Sequence, residues 1–285
     1  MAYLGYYINL DRSPDRRAAM EAQLARLDPP TPYQRFPALD GNPRGIVSGT
    51  LTDAEIGCLT SHYLLLHAHR DGAAHLHVIE DDAVLARRTP RFIEQIIQDG
   101  ALDQNDIVFT STVLSQHLES FADFYREIRA VWKTNIDRAP DGTATQIRFG
   151  AVPYLGGTES YLVNRRSIGL VCDIIARDMD SGAHNPIDLL LRSAAERGEL
   201  GIQCLFPFIT SVPPGAFIST KEHRNNKLLS IFAMELLRHS FFAECDMTAA
   251  QALADRMLPN TDEDPQQRLH ARIVAFVASD AFERF

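Results

Sequence analysis

Leu76-His77-Val78-Ile79-Glu80-Asp81-Asp82-Ala83-Val84-Leu85 decides how the rest of the chain is read. Leu76, Val78 and Ile79 form a short apolar, β-branched run, the pattern of a buried strand. The run climbs directly into three consecutive acids and then returns to Ala83-Val84-Leu85. Carboxylates crowded at a strand end repel one another and lose hydration, which costs several kcal/mol unless something neutralises them. A divalent cation is the simplest neutraliser, and hard carboxylate oxygens suit Mg²⁺ or Mn²⁺. Such an ion commonly bridges phosphate oxygens of a substrate rather than sitting in an all-protein cage. Taken alone, the triplet reads more readily as a solvated acidic turn. The segments around it carry the decision.

Upstream, Tyr6-Tyr7-Ile8-Asn9-Leu10 reads as a first strand. Asp11-Arg12-Ser13-Pro14 supplies a turn and a helix start, with Ser13 as N-cap and Pro14 at the first helical position. A helix over residues 15–27 follows, and Tyr33 to Leu39 is a second strand ending at Asp40-Gly41. Thr52-Asp53-Ala54-Glu55 opens another helix that runs to the turn at Asp71-Gly72. Downstream of the acids come a helix from Pro90 to Gln98 and a buried strand, Asp106 to Thr110. This alternation predicts an α/β fold, a sheet with helices on both faces. Ligands in such sheets gather beyond the carboxyl ends of the strands. Three of the four proposed strands end there in polar residues: Asn9-Leu10-Asp11-Arg12, Glu80-Asp81-Asp82 and Thr110-Ser111-Thr112.

Farther on, a helix is expected from Leu118 to Val131, a loop around Pro140-Asp141-Gly142, and a strand at Ser160 to Val163. Ser167 to Arg177 reads as a helix. Asn185-Pro186-Ile187-Asp188 opens the next, with Pro186 near its first position and Asp188 in its first turn. Ile202 to Ile209 is apolar. Residues 227–285 read as helices, which divides the chain into an α/β domain, 1–225, and a helical C-terminal extension, 226–285, packed on it. No internal repeat is visible.

The chain has 285 residues, 45% hydrophobic and 23% charged, as an ordinary globular protein does. Its net charge of −9 argues against a nucleic-acid partner and offers no polybasic anchor for anionic lipids. Cys58, Cys172, Cys204 and Cys245 are far apart and form no Cys-x-x-Cys pair, so buried thiols in a reducing cytosol are expected. The start of the chain runs straight into a strand pattern and lacks a secretory signal, and no apolar run is long enough to span a bilayer. A soluble cytoplasmic protein, at most resting on the inner face of a membrane, is the expectation.

Six segments, in this order, resemble glycosyltransferase family 25, the bacterial lipopolysaccharide and lipooligosaccharide glycosyltransferases to which the collagen galactosyltransferases are related. They are Tyr7-Ile8-Asn9-Leu10-Asp11-Arg12-Ser13 with Arg16; Phe36-Pro37-Ala38-Leu39-Asp40-Gly41; Glu55-Ile56-Gly57-Cys58-Leu59-Thr60-Ser61-His62; Val78-Ile79-Glu80-Asp81-Asp82; Gly157-Thr158-Glu159-Ser160-Tyr161-Leu162-Val163; and Pro186-Ile187-Asp188. The likeness fades after about residue 190. It implies a GT-A-like fold, a mixed sheet flanked by helices, and an inverting transfer of a sugar, commonly galactose, from a nucleotide donor. Glu80-Asp81-Asp82 then stands where GT-A enzymes keep a metal-binding Asp-x-Asp. Its first acid here is Glu, so ligand geometry does not transfer in detail.

Asp82 is the first choice of metal ligand, joined by Glu80, with Glu80 and Asp81 also candidates for the donor ribose or a metal-bound water. Asn9, Asp11, Arg12 and Arg16 lie at a helix N-terminus, where free N–H groups and guanidinium forks suit phosphate. A capping network that merely fixes the turn is the other reading. Ser61 and His62 share a helix with Gly57 and Cys58. The family context makes them donor contacts, while packing alone makes them buried structural residues and Gly57 a close helix contact. His75 and His77 show no third ligand and are not read as a metal site. Asp188 is the leading general base for an in-line displacement, with helix capping as its alternative. Glu159, after two glycines, competes for that role. His223, with Lys221 and Arg224, is expected to reach the metal or the diphosphate.

The resulting expectation is a metal-dependent glycosyltransferase, using Mn²⁺ or Mg²⁺, that moves galactose from UDP-galactose to a cell-surface glycan acceptor. A non-catalytic nucleotide- or carbohydrate-binding protein on the same fold, and a metal-dependent nucleotide-sugar hydrolase, are the alternatives. The apolar segment Leu228 to Phe242 offers a surface for a dimer or a membrane.

Overall fold

The computed structural model describes residues 3–113, 134–213, 235, 238, 239 and 241–245. Strand β1 (Tyr3–Asn9) is followed by helix α1 (Pro14–Leu24), β2 (Tyr33–Pro37), α2 (Asp53–Ala68) and β3 (His75–Glu80). Next come β4 (Val84–Leu85), α3 (Thr89–Gln98), α4 (Ala101–Gln104), β5 (Ile107–Phe109), a hairpin of β6 (Ile136–Arg138) and β7 (Ala144–Ile147), and β8 (Gly150–Val152). The described part closes with β9 (Ser160–Val163), α5 (Ile168–Ser181), α6 (Ile187–Glu196), β10 (Ile202–Phe206) and β11 (Thr210–Ser211).

One seven-stranded mixed sheet, in the order β2-β1-β3-β9-β5-β10-β8, carries the fold. Strands β2, β1, β3, β5 and β10 run in one direction, while β9 lies antiparallel between β3 and β5, and β8 antiparallel to β10 on the edge. The start of β9 therefore meets the carboxyl ends of its neighbours on one side of the sheet. Helices cover both faces. Leu59, Leu65 and Leu66 of α2, Val171 and Ile175 of α5, and Leu190 and Leu191 of α6 pack on Ile8, Val78, Phe109 and Tyr161. On the other face Phe92, Ile93 and Ile96 of α3 pack on Tyr3, Val108 and Leu162, while Met20 of α1 packs on Tyr7 and Ile79. The even and odd residues of β1 and β3 thus serve different cores, which is why these central strands read as nearly continuous apolar runs.

Local chemistry sets the element ends. Pro14 opens α1 behind Ser13, whose side chain makes no capping bond. Thr52 and Glu55 form a reciprocal capping box at the start of α2. Gly182, in the left-handed region at φ 118°, ends α5 four residues later than the expected Arg177.

Several expectations are corrected. The second strand stops at Pro37: Ala38 N–H still reaches the Asn9 carbonyl, but Leu39 N–H is taken by Ser61 Oγ of α2. Pro186, expected near the first position of α6, is its N-cap, and Asp188 lies in the first turn as expected. The apolar run Ile202 to Ile209 divides: β10 ends at Phe206, and Thr210-Ser211 pairs instead with β4. Around Pro140-Asp141-Gly142 the loop proves to be the turn of the β6–β7 hairpin. Phe241 and Phe242, at the end of the segment assigned to a dimer or membrane surface, are buried in the core, where Phe242 bridges Phe208. The expected helix at Leu118 to Val131, and nearly all of residues 226–285, lie outside the described residues. Among the described residues no helix is long and apolar enough to cross a membrane.

Candidate active site

Asn9 is the last residue of β1 and is 1% exposed, so its amide must find partners inside the protein. Its Nδ2 donates to Asp81 Oδ2 at 2.6 Å and to the Ser13 carbonyl at 3.2 Å. Its Oδ1 accepts from Arg35 Nε at 2.9 Å, and the same guanidinium donates to the Asn9 carbonyl and to Asp11 Oδ1. Arg16, in the first turn of α1, reaches Asp81 Oδ1 at 3.0 Å with Nη1 and Asp82 Oδ2 at 2.7 Å with Nη2. Arg12 pairs with Asp40 at 2.6 Å, an exposed contact of little energetic weight. Strand β1, the start of α1 and the acid triplet are thus one bonded corner. Parallel pairing of β1 with β3, which sets Ile8 beside Glu80, brings them together.

The three acids differ in their surroundings. Glu80 Oε1 accepts from Thr158 Oγ1 at 2.7 Å and lies 3.5 Å from His62 Nε2. Burial pushes Glu80 up, but its polar neighbours, His62 first, then Thr158 and Arg16, outweigh burial and hold it down at about 2. Burial raises Asp81, against the opposing charge of Arg16. Asp82 is pushed up to about 6, by burial first and then by the charge of Glu80, with Arg16 only partly offsetting them. Asp82 Oδ1 is buried and meets no hydrogen-bond donor among the described residues. A carboxylate oxygen orphaned beside two other acids is a cost that a bound cation removes. Asp82 and Glu80, with hard oxygens on one turn, fit Mn²⁺ or Mg²⁺ by donor chemistry.

The start of β9 forms the facing wall. Glu80 N–H donates to the Glu159 carbonyl at 2.9 Å, continuing the β3–β9 ladder past its last pair. Glu159 is 5% exposed, and its Oε1 lies 2.9 Å from Nη1 of the equally buried Arg238. Asp188 is half-buried. Its Oδ2 accepts the Gly157 N–H at 3.1 Å and its Oδ1 the Leu189 N–H at 2.9 Å. Gly157 has φ 91°, and a Cβ there would meet Glu159 Oε2 at 2.6 Å, so this turn admits only glycine without rearrangement. Tyr154 stacks on Phe109 at 3.8 Å and donates to the Gly157 carbonyl, bracing the same turn.

Helix α2 contributes from beneath. Ser61 Oγ donates to the Gly57 carbonyl at 2.6 Å and accepts the Leu39 N–H at 2.8 Å, so its hydroxyl clasps the loop after β2. His62 stacks on Tyr161 and joins its hydroxyl at 2.7 Å through Nδ1. His77 lies elsewhere, in a buried chain of Tyr33, Ser160, Thr110 and Thr210 hydroxyls.

The structure therefore brings Asn9, Asp11, Arg16, Glu80, Asp81, Asp82, His62 and Glu159 to one edge of the sheet, with Asp188 tied to it through Gly157. Arg12 sits outside this bonded corner, on Asp40. His223, Lys221 and Arg224 lie outside the described residues. Sequence reasoning missed Arg35, Thr158, Tyr154 and Arg238. For Arg35 a signal existed, a lone cation within the short strand Tyr33–Pro37. Nothing local distinguishes Arg238.

Fold and site together define the class: an α/β protein whose carboxylates and a helix N-terminus converge at the carboxyl edge of a mixed sheet. The pattern of glycosyltransferase family 25 (LPS biosynthesis protein) matches residues 4–177, and the chain belongs to that family of glycosyltransferases. No curated protein matches the chain in sequence. Among solved structures, an active-site mutant of LgtC is similar at 9% identity and a TM-score of 0.39, covering 82% of each chain. Galactosyltransferase LgtC in complex with donor and acceptor sugar analogs is similar at 10% identity and a TM-score of 0.37, covering 95% of this chain and 100% of that one. Likeness at this level carries nothing over to the site.

Proposed function

We propose that the protein transfers galactose from UDP-galactose, with inversion, to a cell-surface glycan acceptor of the lipopolysaccharide type, using Mn²⁺ or Mg²⁺ held by Asp82 and Glu80. The observation that carries the metal is Asp82 Oδ1, buried and without a donor among the described residues, in a triplet where Asp82 itself is pushed up to about 6. The cation, when bound, neutralises the donor diphosphate and stabilises it as a leaving group. Arg16 and Asn9 fix the acids, while Asp11, Arg12 and the free N–H groups at the start of α1 form the edge that receives the nucleotide. Asp188 removes the acceptor's proton. It is half-buried and makes no ion pair among the described residues, whereas Glu159 is committed to Arg238. Four cysteines without a disulfide suit a reducing compartment, and we place the enzyme in the cytoplasm at the inner membrane face.

The test is a panel of nucleotide sugars offered with and without a lipopolysaccharide acceptor, in Mn²⁺ or EDTA. Metal-dependent transfer of galactose with inverted configuration is the expected result. Hydrolysis that ignores the acceptor would favour the nucleotide-sugar hydrolase, and binding without turnover the non-catalytic reading.

A further inference from the structure

Beneath the acid triplet lies a second donor set of different chemistry. Cys58 and His62 are four residues apart on α2 and so share one face of the helix. Glu80 approaches that face from the end of β3. One ligand atom from each of Cys58, His62 and Glu80 lies within 4.8 Å of the other two.

His62 carries the argument. It is 1% exposed, and its Nε2 has no hydrogen-bond partner among the described residues. Its other nitrogen is tied to the Tyr161 hydroxyl at 2.7 Å. With a cation between them, the tautomer that carries its proton on Nδ1 turns the Nε2 lone pair to the ion rather than to the Glu80 oxygen. A ring fixed through one nitrogen, with the other presented to an anion, is the arrangement in which histidine ligates a metal. The Nε2–Oε1 separation of 3.5 Å is too long for a good hydrogen bond. It does match the edge of a tetrahedron with bonds of about 2.0–2.3 Å, which is about 3.5 Å.

We propose that Cys58, His62 and Glu80 form a site for one thiophilic divalent cation of the Zn²⁺ class, distinct from the hard-metal position at Asp82. Cys, His and Glu supply three ligands, as in sites that leave a fourth position open. The thiolate and carboxylate together balance the ion's charge, and a sulfur ligand selects against Mg²⁺ and Mn²⁺. Because Glu80 Oε1 would be drawn toward this ion and away from Asp82, occupancy here weakens donor-metal binding. That consequence alone rests on the proposed function.

Co²⁺, a spectroscopic stand-in for Zn²⁺, is titrated into the full-length protein without nucleotide. The expected result is a thiolate-to-cobalt charge-transfer band in the near ultraviolet, saturating at one equivalent and erased by Zn²⁺. Cys58→Ser, checked for fold by circular dichroism, should lose the band, while Cys245→Ser keeps it. His62→Gln, which retains the thiol, should weaken Co²⁺ binding at least about tenfold, and Tyr161→Phe by about 10–100-fold through the loss of ring orientation. Absence of the band in folded wild-type protein, or its survival in Cys58→Ser, overturns the site. A Co²⁺ band in a protein without transferase activity would count against the proposed function only. Mn²⁺-dependent transfer without the band would count against this site only.

Discussion

Gly57→Ala separates two physical arguments that differ in sign. In an open helix interior, alanine is favoured over glycine by about 1 kcal/mol, so propensity predicts a more stable protein. The structure predicts the reverse. A Cβ at Gly57 would lie 2.6 Å from the Gly41 carbonyl oxygen, 2.7 Å from that of Leu39 and 3.2 Å from the Gly41 nitrogen. All three are backbone atoms and cannot swing aside as a side-chain end would. Relief requires α2 and the loop after β2 to separate, and overpacking of this kind costs about 1–3 kcal/mol or more. The movement would also stretch the Ser61 clasp on Leu39 N–H, adding part of a buried hydrogen bond. After the propensity gain, the net expectation is a loss of about 1–3 kcal/mol and a melting temperature lower by several degrees. Urea unfolding of wild type and variant, with equal m-values, gives the difference directly. A variant as stable as wild type, or more so, would refute the close-packing argument. The same loop holds Asp40, so nucleotide affinity measured in parallel tests whether loss of packing reaches the donor edge.

Further outcomes follow from the same geometry. Asp82→Ala should abolish Mn²⁺-stimulated UDP binding by calorimetry while the protein stays folded; unchanged affinities would remove Asp82 from the metal site. Asp188→Asn should keep donor affinity and lower turnover by about 10²–10⁴-fold, the range for losing a general base; an equal loss of affinity would assign it to the nucleotide pocket. Arg12→Lys, at an exposed ion pair, should leave thermal stability nearly unchanged yet weaken UDP binding, because an ammonium cannot fork onto phosphate; lost stability with intact affinity would make this corner scaffold. His77 is neutral in the fold, pushed down to about 3 by burial. Its folded value lies below the unfolded one of about 6.5, so its contribution is complete above pH 6.5 and is lost as pH falls toward 3, at up to about 1.4 kcal/mol per pH unit. Between pH 6.5 and 5, His77→Gln should therefore lose less stability than wild type, and parallel curves would contradict the assignment.

The acid-bearing strand and the first strand with its helix were legible because their information is local. An apolar run, a charged stop and a Ser-Pro start lie within a few residues of one another. Residues 136–152 were not. Strand β8 is three residues long, mostly exposed, and exists through pairing with β10 some fifty positions later, as at Val152 and Cys204. Reversal of β9 between β3 and β5 was equally hidden, since Ser160 to Val163 reads the same in either direction. In the site, Asn9, Arg16 and the acids were found from their positions at strand and helix ends. Arg35 and Arg238 escaped because an arginine's partner is set by tertiary placement. Ser61 carried two readings, donor contact and buried structural residue, and its hydroxyl bonds within the fold to Gly57 and Leu39.

The hydrogen bond from Glu80 to Glu159 has a consequence for how the protein comes into being. It closes a loop of about 80 residues, and closing such a loop costs an unfolded chain roughly 4 kcal/mol of entropy. The corner of β1, α1 and β3 closes a loop nearly as long, 72 residues from Asn9 to Asp81, so chain entropy alone does not rank the two closures. On a ribosome an order is imposed all the same, because the acids emerge some eighty residues before the strand that faces them. For that interval the carboxylates are held by Arg16 and Asn9, with His62 beside Glu80, which gives those residues a second duty: keeping a half-built site from opening before its other wall arrives.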